Sequence, residues 1–279
     1  MEIQPVNTEH IVIDLIKYYA PELADLNKNF DAASFKQLFD LEDHNFWFRS
    51  RNRIIQALVK RYSNKNQNVK FLEIGCGTGY VLKGLEGFSN ITLTGSDIYI
   101  EGLKFAKMRL PDVEFIQVDA TNMPFENQFD YIGAFDVLEH ITDDETVMKN
   151  VFKSLKKGGV FFISVPQYMS MWSYMDEIAC HKRRYSKNEI FSKLINAGFT
   201  ITYHTSFVFS LFPIMTFSRW LKRNKKVSEI PDDEITQELK LNPFINRIFE
   251  SVLKIDEFLI RLGVKLPFGG SLMVVTTKN

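Results

Sequence analysis

Cysteine is scarce in this sequence, and an excess of either charge is missing. Cys76 and Cys180 are the two cysteines among 279 residues, and their spacing fits neither a CxxC pair nor a zinc site. We therefore expect reduced thiols, as in proteins of reducing compartments. The 34 basic side chains are balanced by 34 acidic ones. This balance argues against a nucleic-acid partner, which normally requires a basic excess.

Long hydrophobic runs and export signals are also lacking. The most apolar stretch, FVFSLFPIMTF, is too short to span a bilayer and contains Pro213. The first ten residues, MEIQPVNTEH, have neither the basic start nor the apolar core of a secretory signal. From these absences we expect a cytoplasmic protein.

Short apolar runs alternate with helical patterns from Val69 onward. The predicted strands are Lys70–Ile74, Ile91–Ser96, Val113–Val118, Tyr131–Phe135 and Val160–Val165. The predicted helices between them are Tyr80–Phe88, Ile100–Arg109 and Glu145–Lys156. Gly158 and Gly159 are expected to close the last of these helices. Such alternation is typical of an α/β fold with a parallel sheet and helices on both faces.

Four parts of the chain are expected. They are an N-terminal helical cap (1–68), a ligand-binding core (69–209), a helical insert (210–270) and a final strand of the core (271–279). The insert is rich in aromatic residues and prolines, and INRIFESVLKIDEFLIRLG within it predicts an amphipathic helix. A homodimer is compatible with this organisation.

A cluster of glycines follows the first strand, in FLEIGCGTGY. Gly75, Gly77 and Gly79 would let the backbone approach a ligand closely. The dinucleotide fingerprint requires a third glycine where Tyr80 stands, and the Gly-Lys-Ser/Thr of a phosphate loop is absent. Glu73 is unusual inside a buried strand unless it forms a hydrogen bond. The two familiar phosphate-binding interpretations are therefore weakened, and the loop predicts only a ligand that the backbone approaches closely.

Carboxylates follow the next two strands. Asp97 ends the second strand about 20 residues after the loop, where an acidic side chain typically accepts both ribose hydroxyls. Asp119 ends the third strand, where a carboxylate can reach an adenine amino group. Each alone would more often be a solvated loop residue. At successive ends of one sheet, together with the glycine loop, they indicate a nucleoside site.

These motifs resemble those of the class I S-adenosylmethionine (SAM)-dependent methyltransferases. FLEIGCGTGY is similar to the first motif, GSDIY to the ribose-binding strand end, and QVDATNMPF to the adenine-binding segment; FDYIGAFDVLEHI and LKKGGVFFISVP are similar to the fourth and fifth strands. The resemblance implies a Rossmann-like, mostly parallel seven-stranded sheet, SAM as cofactor and S-adenosylhomocysteine as product. The cofactor-binding residues that it implies are Glu73, Gly75, Cys76, Gly77, Gly79, Asp97, Ile98, Asp119, Ala120 and Phe135.

The later segments are similar to small-molecule methyltransferases of quinone and surface-glycan biosynthesis. His140 and His181 are candidates for the base that removes an acceptor proton, although either could be a packed residue. Arg184 and Tyr185 are candidates for acceptor binding, because a guanidinium binds anionic groups. Asp136, Glu139 and His140 could alternatively gather a divalent cation, but we expect no metal, since Glu139 would more often be a cap. One residue among Arg49, Arg51 and Arg53 could pair with the SAM carboxylate.

The function that this sequence favours is methyl transfer to a small-molecule acceptor, at the oxygen of a sugar or glycan, a lipid-linked molecule or a quinone-like molecule. The alternatives are N-methylation of an amino sugar or other amine, and a SAM-binding module without catalysis. The insert also suggests a weak peripheral membrane contact, because the apolar stretch Phe207–Phe217 precedes Trp220 and a basic cluster. That cluster comprises Arg219, Lys222, Arg223, Lys225 and Lys226. A packed or dimer-forming helix with solvated lysines is the competing interpretation.

Overall fold

Nine strands form one sheet in the computed structural model, which describes residues 10–24, 32–63, 67–222 and 241–279. The strands are β1 (Ile11–Ile13), β2 (Ile16–Tyr18), β3 (Val69–Ile74), β4 (Ile91–Asp97), β5 (Glu114–Gln117), β6 (Phe129–Phe135), β7 (Leu155–Pro166), β8 (Thr200–Phe207) and β9 (Ser271–Thr277). Their order across the sheet is β1-β2-β5-β4-β3-β6-β7-β9-β8. Strands β2 to β7 pair in parallel, whereas β9 is antiparallel to both of its neighbours.

The predicted α/β class and mostly parallel sheet are confirmed, but the number of strands is larger than predicted. Strands β3 to β9 are the expected seven, and the hairpin β1–β2 extends the sheet beside β5. The purely helical N-terminal cap is therefore wrong for Ile11–Tyr18. The hairpin turn is formed by Asp14 and Leu15, both with positive φ. Because a leucine is rare in such a turn, the sequence carried no hairpin signal there.

Ten helices accompany the sheet in the described part of the chain. They are α1 (Pro21–Ala24), α2 (Ala32–Glu42), α3 (Phe46–Tyr62), α4 (Tyr80–Leu85), α5 (Ile100–Arg109), α6 (Asp144–Ser154), α7 (Tyr174–Ile178), α8 (Lys187–Asn196), α9 (Phe212–Lys222) and α10 (Pro243–Arg261). Three short 3-10 turns occur at Ala120–Asn122, Leu138–His140 and Met169–Met171. None of the helices in these described residues is long and apolar enough to cross a membrane.

Side chains of the sheet alternate between two buried layers. Phe71 packs in the layer that includes α3 and α4, whereas its neighbour Leu72 packs in the layer that includes α6 and α8. Both faces are thus covered, which is why the central strands are almost entirely apolar. Gly158 and Gly159 do not close α6 as predicted. That helix ends at Ser154, and both glycines lie in β7, where the Gly158 amide donates to the Lys278 carbonyl at 2.6 Å.

The strand order determines where a ligand can bind. Strand β3 lies between β4, which follows it in the chain, and β6, so the order of connections reverses beside β3. In open α/β sheets ligands bind at such a switch point, at the carboxyl ends of the strands. Helix α10 of the insert packs on α3, where Arg53 forms ion pairs with Glu250 at 2.9 Å and Glu257 at 2.7 Å. A ligand is therefore expected at the loops after β3, β4, β5 and β6.

Candidate active site

A cavity of about 270 Å³ opens at the carboxyl ends of β3, β4 and β5. Six of the ten predicted cofactor-binding residues line it: Gly75, Gly77, Asp97, Ile98, Asp119 and Ala120. Some of the other lining residues were not predicted from the sequence because they lie on α2 or in the segment after α7; they are Phe35, Leu38, Cys180 and Lys182. We call this the cofactor cavity.

Four predicted cofactor-binding residues support the cavity wall instead of lining it. They are Glu73, Cys76, Gly79 and Phe135. Glu73 is 2% exposed, and burial raises the pKa of its carboxyl well above the usual range, although the nearby Arg51 opposes the shift. Burial likewise raises the pKa of the Cys76 thiol. These four residues do not line the cavity.

The glycine loop packs against Val137 at one position and faces the open cavity at another. Gly75 has φ +66°, and a Cβ at this position would meet Cγ2 of Val137 at 1.8 Å. Gly77 has φ +50°, but a Cβ there would meet nothing within 4 Å. Both positions have a conformation that favours glycine. Gly75 is therefore demanded by the protein's own packing, whereas Gly77 leaves room for a ligand against the backbone.

Asp97 connects the loop to the end of β4. Its Oδ2 accepts from the Gly77 amide at 2.8 Å, and its Oδ1 accepts from the Tyr99 amide at 2.9 Å. Burial raises the pKa of Asp97 against these hydrogen bonds, which favour the ionised form. Asp119 caps the following 3-10 turn, and its Oδ1 accepts from the Thr121 amide at 2.8 Å. Both carboxylates thus face the cavity with fixed orientations.

Replacing Asp97 by alanine is expected to weaken SAM binding by about 1–3 kcal/mol, the usual cost of leaving buried polar groups without a charged partner. Isothermal titration calorimetry measures this loss. Thr92→Ala is the matched control, since Thr92 lies on the same strand but is exposed and outside the cavity. Thermal unfolding of both variants reports whether the fold is intact. Unchanged affinity in a folded Asp97→Ala protein would assign ribose binding to other residues.

A second cavity, of about 190 Å³, lies beside the cofactor cavity. We call it the acceptor cavity; its walls include Trp47, Glu139, His181, Arg184, Met215 and Arg219. Asp136, directly after β6, lines both cavities. It has φ +56°, an uncommon conformation for a residue other than glycine. An ion pair with Arg51 and a hydrogen bond from Ser164 Oγ at 2.9 Å hold it there.

The two candidate bases lie in the walls of different cavities, and their ring centroids are 4.8 Å apart. His140 lines the cofactor cavity and His181 the acceptor cavity. Burial, reinforced by the neighbouring His181, lowers the pKa of His140 to about 4. His140 is consequently neutral at physiological pH and a weak proton acceptor.

His181 is held by a carboxylate. Its Nδ1 lies 2.9 Å from Oδ1 of Asp176, and its Nε2 lies 3.9 Å from Oε1 of Glu139. Burial raises the pKa of Asp176, but hydrogen bonds from His181 and Arg184 outweigh burial and hold that pKa well below the usual range. Because an ionised carboxylate only accepts hydrogen bonds, Nδ1 must donate. In the neutral ring, Nε2 therefore carries the lone pair on the side of Glu139.

The two predicted acceptor-binding residues have different positions. Arg184 lines the acceptor cavity, and its Nε donates to Asp176 at 2.7 Å. Tyr185 is fully buried among core side chains, and its hydroxyl bonds to Asp144 at 2.6 Å and to the Leu138 carbonyl at 3.1 Å. Burial raises the pKa of this phenol further. The predicted contact of Tyr185 with an acceptor is therefore wrong, because the side chain belongs to the core.

The three arginine candidates of α3 are separated by the structure. Arg53 and Arg49 both pair with Glu250 of α10. Arg51 instead reaches Asp136, and its guanidinium lies 4.7 Å from the centre of the Trp47 ring. Of these three, Arg51 is the residue that pairs with Asp136, the residue that lines both cavities.

Sequence reasoning missed two further site residues. Asp176 follows the fifth core strand without any motif, and Arg219 was assigned to a membrane-facing cluster. The structure turns Arg219 inward, where it donates to Ser173 Oγ at 2.7 Å and to Asp176 Oδ2 at 3.0 Å. The other members of that cluster, the side chain of Lys222 and the residues Arg223, Lys225 and Lys226, lie outside the described residues. A lone arginine on an apolar helix was the only available signal.

Glu139, His140 and His181 are the described residues whose arrangement could hold a metal ion. One ligand atom from each lies within 4.8 Å of the others. Ligands of one tetrahedral zinc lie only about 3.3 Å apart, since each is about 2.0–2.1 Å from the ion. The three side chains would have to move closer to bind a cation. The predicted set of metal ligands contained Asp136 with Glu139 and His140; in the structure His181 is the third member of this group.

These features define a class of protein: a Rossmann-like fold with a glycine loop and two strand-end carboxylates around one cavity, and a second cavity beside it. A family model described as a methyltransferase domain matches residues 47–204, which is more than half of the chain. The chain belongs to this methyltransferase family. The match confirms the predicted class I SAM-dependent methyltransferase.

Known proteins agree with this assignment. The chain is 26% identical over 166 residues to a probable SAM-dependent methyltransferase of Mycolicibacterium smegmatis, covering 58% of this chain and 62% of that protein. It is 26% identical over 170 residues to a ubiquinone biosynthesis O-methyltransferase of Colwellia psychrerythraea, covering 59% and 67%. The structure of phosphoethanolamine N-methyltransferase 2 of Haemonchus contortus with SAM superposes with a TM-score of 0.58 and 17% identity, covering 92% of this chain and 60% of that one. The chain spans about six tenths of the length of the first curated relatives.

Proposed function

We propose that the protein transfers the methyl group of SAM to a hydroxyl oxygen of a small anionic acceptor, with His181 as the base. The observation that carries this proposal is the Asp176–His181 pair at 2.9 Å, with His181 in the wall of the acceptor cavity. A carboxylate that fixes the Nδ1 proton orients the ring and stabilises the imidazolium formed when Nε2 takes a proton. O-methylation benefits from such a base, whereas an amine needs it less.

The residues of the cofactor cavity fit SAM. The open space at Gly77 admits a ligand against the loop, and the carboxylates of Asp97 and Asp119 suit hydroxyl and amino donors. SAM supplies an activated methyl group on its sulfonium. Arg51 is suited to hold the carboxylate of the cofactor. Its guanidinium pairs with Asp136, which lines both cavities, and its Nε has no hydrogen-bond partner among the described residues.

The charges around the acceptor cavity favour an anion. Three guanidinium groups, those of Arg51, Arg184 and Arg219, pair with the two carboxylates of Asp136 and Asp176. Burial raises the pKa of Glu139 well above the usual range, and the adjacent Asp136 raises it further, so both effects favour the neutral form of this carboxyl. The three guanidinium groups outnumber the two carboxylates with which they pair, and they would attract a carboxylate or phosphate on the acceptor.

Glu139 adds a site for a polar group of the acceptor. Its side chain is 0% exposed, and neither carboxyl oxygen has a hydrogen-bond partner within the described ranges. Buried polar groups are normally paired, because an unpaired one costs free energy. Since Glu139 lines the acceptor cavity, a hydroxyl of the acceptor would satisfy it.

The proposal is tested by turnover of hydroxylated small molecules that carry a carboxylate or phosphate, each compared with its uncharged analogue and its amine analogue. Mass spectrometry detects the added methyl group and S-adenosylhomocysteine. We expect methylation of the anionic hydroxyl compounds. Turnover of only the amine analogues would contradict the choice of oxygen. SAM binding without turnover of any compound would favour a non-catalytic SAM-binding module.

The same assay after dialysis against EDTA distinguishes the base from a metal site. If His181 is the base, turnover persists without divalent ions. Loss of turnover that Zn²⁺ or Mn²⁺ restores would instead show that Glu139, His140 and His181 gather around a cation.

A further inference from the structure

Helix α10 places its acidic residues inward. Glu250, Asp256 and Glu257 are each at most 9% exposed. Arg53 pairs with Glu250 and Glu257, while Asp256 accepts hydrogen bonds from the Phe209 amide at 2.6 Å and from Ser210. The inward face of α10 thus carries buried acids beside the core residues Leu253 and Ile260 where it meets α3 and the start of α9.

The outward face of α10 is apolar. Five exposed apolar residues, spaced by three, four or seven positions, lie in one stripe along the helix. The stripe consists of Phe244, Ile248, Ile255, Phe258 and Leu262, the last of these just beyond the helix, with exposed fractions from 45% to 72%. An exposed apolar stripe of this length on a helix indicates an interaction surface.

A row of basic residues borders the stripe. Arg247, Lys254 and Arg261 are exposed and follow one another at intervals of seven residues, which places them along one side of the helix. Arg261 lies 4.0 Å from Glu257, whose carboxylate Arg53 already binds. Helix α10 is described over its whole length, and all its acidic residues are buried. Its outward face therefore combines apolar side chains with three positive charges and no negative one.

We propose that this face of α10 docks onto the surface of an anionic lipid bilayer. An amphipathic helix with basic residues beside its apolar face lies in the membrane interface, because acyl chains cover the apolar stripe and anionic headgroups attract the basic row. A second copy of the same face would bring two basic rows together without any acid to pair with them. The charge pattern thus selects anionic lipid over self-association.

Helix α9 relates this surface to the acceptor cavity. Its residues Ile214, Phe217 and Leu221 point outward and are 55% to 61% exposed. On the opposite side, Met215 and Arg219 line the acceptor cavity. The sequence suggested a membrane contact at the basic cluster around Arg219, whereas this proposal assigns the contact to α10. Docking does not require the acceptor to be a lipid, so it can fail or succeed independently of the proposed reaction.

Vesicle co-sedimentation of the full chain at low salt tests the proposal. Vesicles of phosphatidylcholine alone are compared with vesicles of equal parts phosphatidylcholine and phosphatidylglycerol. We expect binding only to the anionic vesicles and release at high salt. Ile255→Asp/Phe258→Asp should abolish binding, while Arg247→Gln/Lys254→Gln/Arg261→Gln should weaken it by about fivefold for each charge removed.

Ile195→Asp on α8 is the matched control, because Ile195 is 58% exposed but lies on another helix. It should bind vesicles as the unaltered protein does. SAM titration and thermal unfolding report whether each variant is folded. Absence of binding by the unaltered protein, or equal binding by Ile255→Asp/Phe258→Asp, would overturn the proposal. A dimer in analytical ultracentrifugation that Phe258→Asp dissociates, without vesicle binding, would assign the face to a second copy.

Discussion

Replacing His181 by alanine is expected to lower turnover by about 10²–10⁴-fold, the usual contribution of a positioned base. The affinity for SAM should stay the same, because His181 lines the acceptor cavity and not the cofactor cavity. Steady-state kinetics measures the first quantity and calorimetry the second. The effect should fall on kcat more than on KM, since the proton moves only in the transition state.

Two further variants make this result specific. Asp176→Asn keeps the size of the side chain but removes the charge that fixes the Nδ1 proton of His181, so it should reproduce much of the loss. His204→Ala is the control, because His204 lies on β8 outside both cavities. Equal and small effects of His181→Ala and His204→Ala would mean that alignment of the acceptor alone carries the rate.

Replacing Gly75 by alanine is expected to destabilise the protein by about 2–5 kcal/mol. Of this, overpacking contributes about 1–3 kcal/mol because the new Cβ overlaps Val137, and the left-handed backbone contributes about 1–2 kcal/mol. SAM affinity should fall with stability, since Gly75 and Val137 both line the cofactor cavity. Denaturant unfolding measures the loss of stability.

The packing and backbone contributions can be separated. Val137→Ala removes the overlapping methyl groups, so adding it to Gly75→Ala should recover part of the loss. Gly77→Ala should lose only the backbone contribution to stability, because no atom lies within 4 Å of the added Cβ. Gly87→Ala, also without a neighbour but without a positive φ, should be nearly neutral. Equal stability of Gly75→Ala and Gly87→Ala would show that the loop near Val137 relaxes freely.

The cofactor cavity could be predicted because its residues belong to short strand–loop–helix units. Gly77, Asp97 and Asp119 each follow directly from a strand end, so local sequence fixes their place at one edge of the sheet. The base and its partner could not be predicted in this way. Asp176 meets His181 through α7 and the turn after it, and Arg219 reaches Asp176 from a distant helix. No spacing in the sequence reports those tertiary contacts.

The insert shows a second limit. The helical period of α10 was readable, but periodicity alone cannot decide which face is buried. Here Leu253 and Ile260 face the core together with the acids that Arg49 and Arg53 of α3 bind. A second apolar stripe of the same helix stays exposed. The hairpin at Ile11–Tyr18 escaped prediction because its turn places Leu15, a residue type that is rare there, at a positive φ.

Asp136 gives the two cavities a common wall, and this has a thermodynamic consequence. A ligand that draws the Asp136 carboxylate or its partner Arg51 toward one cavity changes what the other cavity offers. Such linkage is reciprocal: the factor by which cofactor changes acceptor affinity equals the factor by which acceptor changes cofactor affinity. Under the proposed reaction, cofactor and acceptor would then be cooperative ligands, and the methylated product and the spent cofactor would assist or oppose each other's departure through the same carboxylate.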